Sequence, residues 1–240
     1  KYLRQKIGSS KIETYFDGDK EKELSKSKYF GVGAVSVSHN DQYLAYSLDL
    51  KGSEHYDIFL RNLSTNNIIE KKIINTSGNI IWSLNSKSFF YIPLDKFHRS
   101  KKIYRHILGT PPKEDQLIFE EKDDSYSVGI SLTSDEKFFI ISSSDSNTVE
   151  EYFFLEKDEE IKPKLFQARE KGIKYSIDSW KNYWYVHTNQ DAIDYQVLRC
   201  DHKDIKKLDV FIAPKEETVI GGFEFLDNYI LRSEKSDAIP

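Results

Sequence analysis

Apolar positions along this chain come in short runs rich in β-branched and aromatic residues, and polar turns separate them. Residues 29–38 are apolar and small. Residues 43–47 (Tyr-Leu-Ala-Tyr-Ser) form a second run after the turn Ser38-His39-Asn40-Asp41. His55-Tyr56-Asp57-Ile58-Phe59-Leu60-Arg61 alternates polar with apolar, the mark of a half-buried strand. Each run predicts a strand, and the strands come in groups of four. Tyr43, Phe89, Phe138, Tyr183 and Tyr229 open the second strand of successive groups, at steps of 46, 49, 45 and 46 residues. A polar turn precedes each of them, and Tyr56, Tyr104, Tyr152 and Tyr195 mark the third strand.

A repeat of about 40–50 residues with four short strands per unit predicts an all-β chain folded as a β-propeller. Four complete four-stranded blades are expected at 28–75, 76–122, 123–170 and 171–215. Outer strands of a preceding blade occupy 1–27, and the first strands of a further one occupy 216–240. A β-sandwich also has short strands and frequent turns, but it does not call for a fixed interval with recurring landmarks. The WD40 subclass is disfavoured because no Trp-Asp dipeptide closes a third strand. Trp82, Trp180 and Trp184 read as packing residues. The chain begins at Lys1, contains no Met and stops at Pro240 where a third strand should begin. It is therefore expected to be a segment of a longer protein.

Composition narrows the partners. The 240 residues carry 35 Lys and Arg against 39 Asp and Glu, well mixed, for a formal net charge of −4. That balance offers no basic face for nucleic acid and no polybasic patch for a membrane surface. No apolar run reaches the ~20 residues of a membrane helix. Cys200 is the only cysteine, so no intrachain disulfide is possible and a reducing compartment fits. Asn62-Leu63-Ser64 and Asn75-Thr76-Ser77 match the glycosylation pattern and read as chance matches.

The candidate chemistry is sparse. No Gly-x-Ser-x-Gly elbow is present; Gly129-Ile130-Ser131 comes nearest and reads as an inner strand. Asp17-Gly18-Asp19 lacks the further ligands of an EF-hand and predicts a turn. His202 near Cys200 and Asp201 is a weak metal signal. Gly31-Val32-Gly33 lacks the third glycine of a dinucleotide loop and suits close strand packing. Glu120-Glu121-Lys122-Asp123-Asp124 suits a solvated loop, with binding of a cation or a basic partner the sharper reading. Residue by residue the chain reads as a scaffold with no catalytic, metal or cofactor site.

One stretch adds to this. Tyr104-Arg105-His106, Leu108-Gly109-Thr110 and Asp115-Gln116-Leu117-Ile118-Phe119-Glu120-Glu121-Lys122-Asp123 closely resemble the propeller of oligopeptidase B (protease II), in the prolyl oligopeptidase family of serine peptidases. Arg61-Asn62-Leu63, the Trp82 segment and residues 142–155 support the resemblance, which is loose before 28 and after 200. It implies a seven-bladed propeller capping an α/β-hydrolase domain in a cytoplasmic enzyme that cleaves short peptides after Lys or Arg. The propeller would limit access by size. The catalytic Ser, Asp and His would lie in the hydrolase domain, which follows the propeller and is absent from this chain. That domain and short basic peptides are the partners implied, and no cofactor is. The loops joining one blade's last strand to the next blade's first, at 24–29, 75–79, 122–126 and 170–174, are expected to face the hydrolase domain. Lys28, Asp123 and Asp124 are the candidates there for interdomain ion pairs. A free-standing propeller that binds a protein or ligand is the alternative.

Overall fold

The computed structural model describes residues 1–70, 72–156 and 160–237. Strands dominate, and they divide between two compact units, 1–120 and 121–240. The first unit opens with a hairpin of β1 (Tyr2–Gln5) and β2 (Ile12–Phe16), followed by one helix, α1 (Gly18–Ser25). A four-stranded antiparallel sheet comes next: β3 (Gly31–Val37), β4 (Tyr43–Asp49), β5 (Tyr56–Asn62) and β6 (Ile73–Thr76). The unit's second sheet is β7 (Ile81–Trp82), β8 (Ser88–Tyr91), β9 (Lys102–Ile107) and β10 (Gln116–Glu120).

The second unit repeats the plan. Its first sheet is β11 (Ser127–Leu132), β12 (Phe139–Ser144), β13 (Val149–Phe154) and β14 (Lys164–Gln167). Its second is β15 (Tyr175–Trp180), β16 (Tyr183–Thr188), β17 (Gln196–Asp201) and β18 (Asp209–Ile212). A two-stranded sheet of β19 (Thr218–Phe225) and β20 (Ile230–Ser236) closes the described chain. In each four-stranded sheet the strands are hydrogen-bonded in sequence order, which is the meander of a propeller blade. The strand expected to begin at Pro240 lies outside the described residues.

Side-chain alternation explains why the sheets stack. Along β4, Leu44, Tyr46 and Leu48 point to one face and pack with Phe16 of β2. Ala45 points to the other and joins Ile58, Leu60 and Ile73 against Ile80, Trp82, Phe89 and Tyr91 of the following sheet. In the second unit, Trp184 and Val186 of β16 pack with Phe138, Ile140 and Phe166. Tyr185 faces the opposite way, with Val197, Ile220 and Phe225. A strand covered on both faces is apolar at consecutive positions, as 44–46, 89–92 and 139–141 are.

The hairpins between first and second strands share a side-chain device. Ser38 Oγ donates to Asn40 Oδ1 (2.7 Å) and accepts from the Tyr43 amide (3.0 Å). Ser83 with Asn85 and the Ser88 amide, and Thr133 with Asp135 and the Phe138 amide, repeat it. The fourth residue of each turn takes a left-handed conformation, with φ of 58° at Asp41, 59° at Ser86 and 53° at Glu136. The fourth sheet departs: Trp180 pairs directly with Tyr183 around Lys181 and Asn182, both at positive φ, a two-residue primed turn.

Three expectations need correction. The turn geometry makes Ser88, not Phe89, the counterpart of Tyr43, because the Ser38 amide donates to Tyr43 O as the Ser83 amide donates to Ser88 O. The third-strand tyrosines are not all equivalent. Tyr104 opposite Tyr91 and Tyr152 opposite Ile141 match Phe59 opposite Tyr46, whereas Tyr56 opens β5 before Phe59 and Tyr195 precedes β17 at φ 70°. Asp17-Gly18-Asp19 opens α1 in place of a turn. The Asp17 carboxylate caps the helix by accepting from the Asp19 amide (3.2 Å), and Asp19 and Glu21 lie in the first turn.

Thr133 is buried and its hydroxyl serves both Asp135 and the Phe138 amide. Thr133→Val keeps the shape and removes those bonds. It is expected to cost ~1–3 kcal/mol, read as a lower denaturation midpoint with an unchanged m-value.

Candidate functional site

Lys28 is exposed in the loop before β3, and Asp123 and Asp124 are exposed in the loop before β11. Lys28 belongs to the first unit and the two aspartates to the second. The aspartate loop is held from below. Glu121, buried at its base, accepts from Ser143 Oγ (2.6 Å), from Arg169 Nη2 (2.7 Å) and from the Asp123 amide (2.8 Å). Arg169 also reaches Glu150 Oε1 (3.3 Å) and lies 3.9 Å over the Tyr126 ring. Burial alone would raise the Glu121 carboxyl. The Ser143, Asp123 and Arg169 donors outweigh it and hold the group below its usual range. Glu121 therefore ties the backbone of this loop at Asp123.

Antiparallel strands put the loops after second strands on the same edge as the loops after fourth strands. In the first unit that edge joins 26–30, 50–55, 77–80 and 92–101. The Leu94 amide donates to Asn75 O (2.8 Å) and the Ser77 amide to Ile92 O (2.8 Å). Lys26, Lys28, Lys51, Lys96, Arg99 and Lys101 outnumber Glu54 and Asp95 here and leave this edge net basic. In the second unit the corresponding loops, at 121–126, 145–148, 168–174 and 189–195, mix acidic residues such as Asp123, Asp124, Asp145, Glu170, Asp191 and Asp194 with Lys122, Arg169, Lys171 and Lys174.

The Arg-His-x-x-Gly-Thr stretch has a structural role. His106, 1% exposed, places Nδ1 2.8 Å from Asp115 Oδ1 and Nε2 2.6 Å from Glu70 Oε2. Tyr91 OH donates to the second Asp115 oxygen (2.8 Å), and the Gly109 amide donates to Glu70. Glu70 belongs to the β5–β6 loop of the first sheet, so the ring clamps that loop to the β9–β10 segment of the second. Burial alone would lower the histidine, but the bonds to Asp115 and Glu70 override it and raise the imidazole to about 9. It is a cation at neutral pH.

A serine, a histidine and an aspartate also meet in the second unit, in an order that cannot hydrolyse anything. Ser179 Oγ donates to Asp135 Oδ2 (2.9 Å) and lies 2.9 Å from His202 Nε2, whose N–H then donates to it. The hydroxyl thus stands between the two partners, with its proton directed at Asp135 and the imidazole a donor where a triad needs an acceptor. Ser179 is completely buried. Cys200 is buried and its thiol is pushed up to about 11 by burial, which makes it unreactive. Among the described residues no three His, Cys, Asp or Glu side chains converge on a metal position.

Sequence reasoning missed the His106 clamp because Glu70 is 36 residues away and belongs to another sheet. It also missed Glu151, nearly fully buried on β13, which accepts from the Ile177 amide (2.6 Å) of the next sheet. Burial raises this carboxyl to about 8, so it is held mainly as the neutral acid at pH 7. Its only sequence mark is an acidic pair, Glu150-Glu151, inside an otherwise apolar strand.

Residues 2–240 match the family described as prolyl oligopeptidase, N-terminal beta-propeller domain. The chain belongs to this family. Among its relatives, dipeptidyl aminopeptidase BI of Pseudoxanthomonas mexicana is 29% identical over 218 residues, 88% of this chain and 30% of that protein. Protease 2 of Moraxella lacunata is 28% identical over 87% of this chain and 31% of its own length. Oligopeptidase B from Leishmania major superposes over 97% of this chain with a TM-score of 0.90 at 22% identity, covering 33% of that structure. The closed form of oligopeptidase B from Trypanosoma brucei, with covalently bound antipain, gives 0.86 at 26% identity over 98% of this chain and 33% of that structure. This prolyl oligopeptidase-type propeller thus spans about a third of the length of the proteins it matches. No helix among the described residues is long and apolar enough to cross a membrane.

The His106 clamp sets a pH dependence. An imidazole raised from 6.5 to about 9 contributes stability that is complete below pH 6.5 and is lost as pH rises through 9. The loss is on the order of 3 kcal/mol. His106→Gln is expected to be destabilised at pH 7 and to lack the wild type's fall in thermal midpoint between pH 7 and 10. Parallel pH curves for the two proteins would contradict the clamp.

Proposed function

We propose that this chain is the propeller of a longer serine peptidase of the oligopeptidase B type and that it controls access to a catalytic domain. The full protein would cleave short peptides after Lys or Arg by acyl transfer through a serine nucleophile. Stacked sheets with buried seams do not open to admit folded substrates, so access would be limited by size. The family match over residues 2–240 carries this reading. The meeting of Ser179, His202 and Asp135 in a non-catalytic order agrees with chemistry located elsewhere in the protein. Lys28, Asp123 and Asp124 are assigned to ion pairs with the catalytic domain, and such exposed pairs are weak and salt-sensitive. A cytoplasmic location belongs to the same reading.

The name of the Pseudoxanthomonas relative suggests a second reading, release of dipeptides from free N-termini. One assay separates the two. The full-length gene product is expected to hydrolyse an N-blocked fluorogenic peptide ending in Arg-Arg, and the 240-residue chain alone is expected to be inert. Cleavage only of the unblocked peptide would favour the aminopeptidase reading. Cleavage of neither by a folded full-length protein would leave a binding propeller. In an active protein, Asp123→Ala is expected to flatten the salt dependence of kcat/KM, and an unaltered profile removes Asp123 from the interdomain contact.

A further inference from the structure

The loop between β8 and β9 carries an exposed aromatic ring on a backbone tied by hydrogen bonds within the loop. Asp95 organises it. Its Oδ1 accepts from the amides of Phe97 (2.8 Å) and Arg99 (3.0 Å), and its Oδ2 accepts from Arg99 Nε (2.8 Å). The Asp95 amide donates to Arg99 O (3.2 Å), and the His98 amide donates to Asp95 O (3.0 Å). His98 takes a left-handed φ of 60° and sets its ring 4.1 Å, centroid to centroid, from His55 of the neighbouring loop. His55 Nε2 lies 3.3 Å from the Asp95 carbonyl. The donors from Arg99 and Phe97 hold the Asp95 carboxyl down to about 2, so it stays ionised at any physiological pH.

At the tip of this frame Phe97 is 63% exposed. Lys96 Nζ lies 4.9 Å and Arg99 Cζ 5.1 Å from its ring centroid. A single exposed aromatic on a mobile loop would be unremarkable. Here the amides of Asp95, Phe97, His98 and Arg99 are all hydrogen-bonded within the loop, and the ring carries two cations against it. Rigid aromatic anchors flanked by Arg are the residues that dominate interface energetics, because little entropy is left to lose on binding. The surface that fits is an apolar pocket bordered by carboxylates.

We propose that the 95–99 loop is a docking anchor, with Phe97 inserted into a carboxylate-rimmed apolar pocket on the catalytic domain of the same protein. This rests on the reading above that a catalytic domain accompanies this propeller. Two observations favour that occupant. The loop stands on the basic edge that also carries Lys28, and the proteins matched are about three times as long as this chain. Phe97 would supply apolar burial there, while Lys96 would select the acidic rim and set the orientation.

The test uses the full-length protein with p-benzoylphenylalanine at position 97. Illumination is expected to give an intramolecular crosslink, mapped by mass spectrometry to a segment beyond residue 240 that has acidic residues beside apolar ones. Lys96→Glu in the same protein is expected to lower the crosslink yield at least ~5-fold, the equivalent of the ~1 kcal/mol that marks an interface anchor. A crosslink confined to a second copy, or none at all, in a protein that cleaves its peptide overturns the anchor and leaves the peptidase reading intact. A protein that crosslinks to its own C-terminal part yet cleaves nothing keeps the anchor and removes the peptidase reading.

Discussion

Among the described residues the four-stranded sheets bury apolar side chains on both faces, and that constraint governs the rest. Leu44, Ala45 and Tyr46 are consecutive, buried, and directed alternately to two different neighbours. A strand of this kind cannot end a structure. It has to be covered twice, and stacking like sheets side by side satisfies that need repeatedly with one short pattern. The polar groups then have to be placed at the seams without being left unpaired. His106 between Glu70 and Asp115, Glu121 with Arg169, and Glu151 against the Ile177 amide are three solutions to that problem.

These seams have a functional consequence. A buried cation between two carboxylates, or a buried acid on a backbone amide, is costly to separate from its partners. The sheets are thus tied near their outer strands as well as packed along their inner ones. For a domain proposed to screen substrates by size, resistance to spreading is the property that matters.

The repeat was legible in the sequence because a strand buried on both faces must be written in apolar letters, and a turn before it in polar ones. The register was less legible. Ser88 and Phe89 are both plausible strand openers, and the bonds of the Ser83 amide and hydroxyl to Ser88 identify it as the counterpart of Tyr43. Helix α1 escaped notice because none of its residues is buried. It is anchored by Glu21, which accepts from Arg61 Nη2 at 2.7 Å, an interaction 40 residues apart in sequence. The resemblance carried by Tyr104-Arg105-His106 and Gly109-Thr110 pointed to the right family, yet the reason for the histidine became visible only when Glu70 arrived from another sheet. Of the rim residues, the structure adds the base on which Asp123 and Asp124 stand, the Glu121–Arg169 pair, which spacing alone does not reveal.

The central claim is that this propeller domain filters substrates by size. The most direct measurement is the cleavage rate of one basic target sequence, presented to the full-length protein first as a short peptide and then within an unfolded polypeptide of protein length. The account predicts rapid cleavage of the peptide and negligible cleavage of the long chain, although the scissile bond and its neighbours are the same. Comparable rates for the two would contradict it, since a propeller that admits any accessible bond is not a filter.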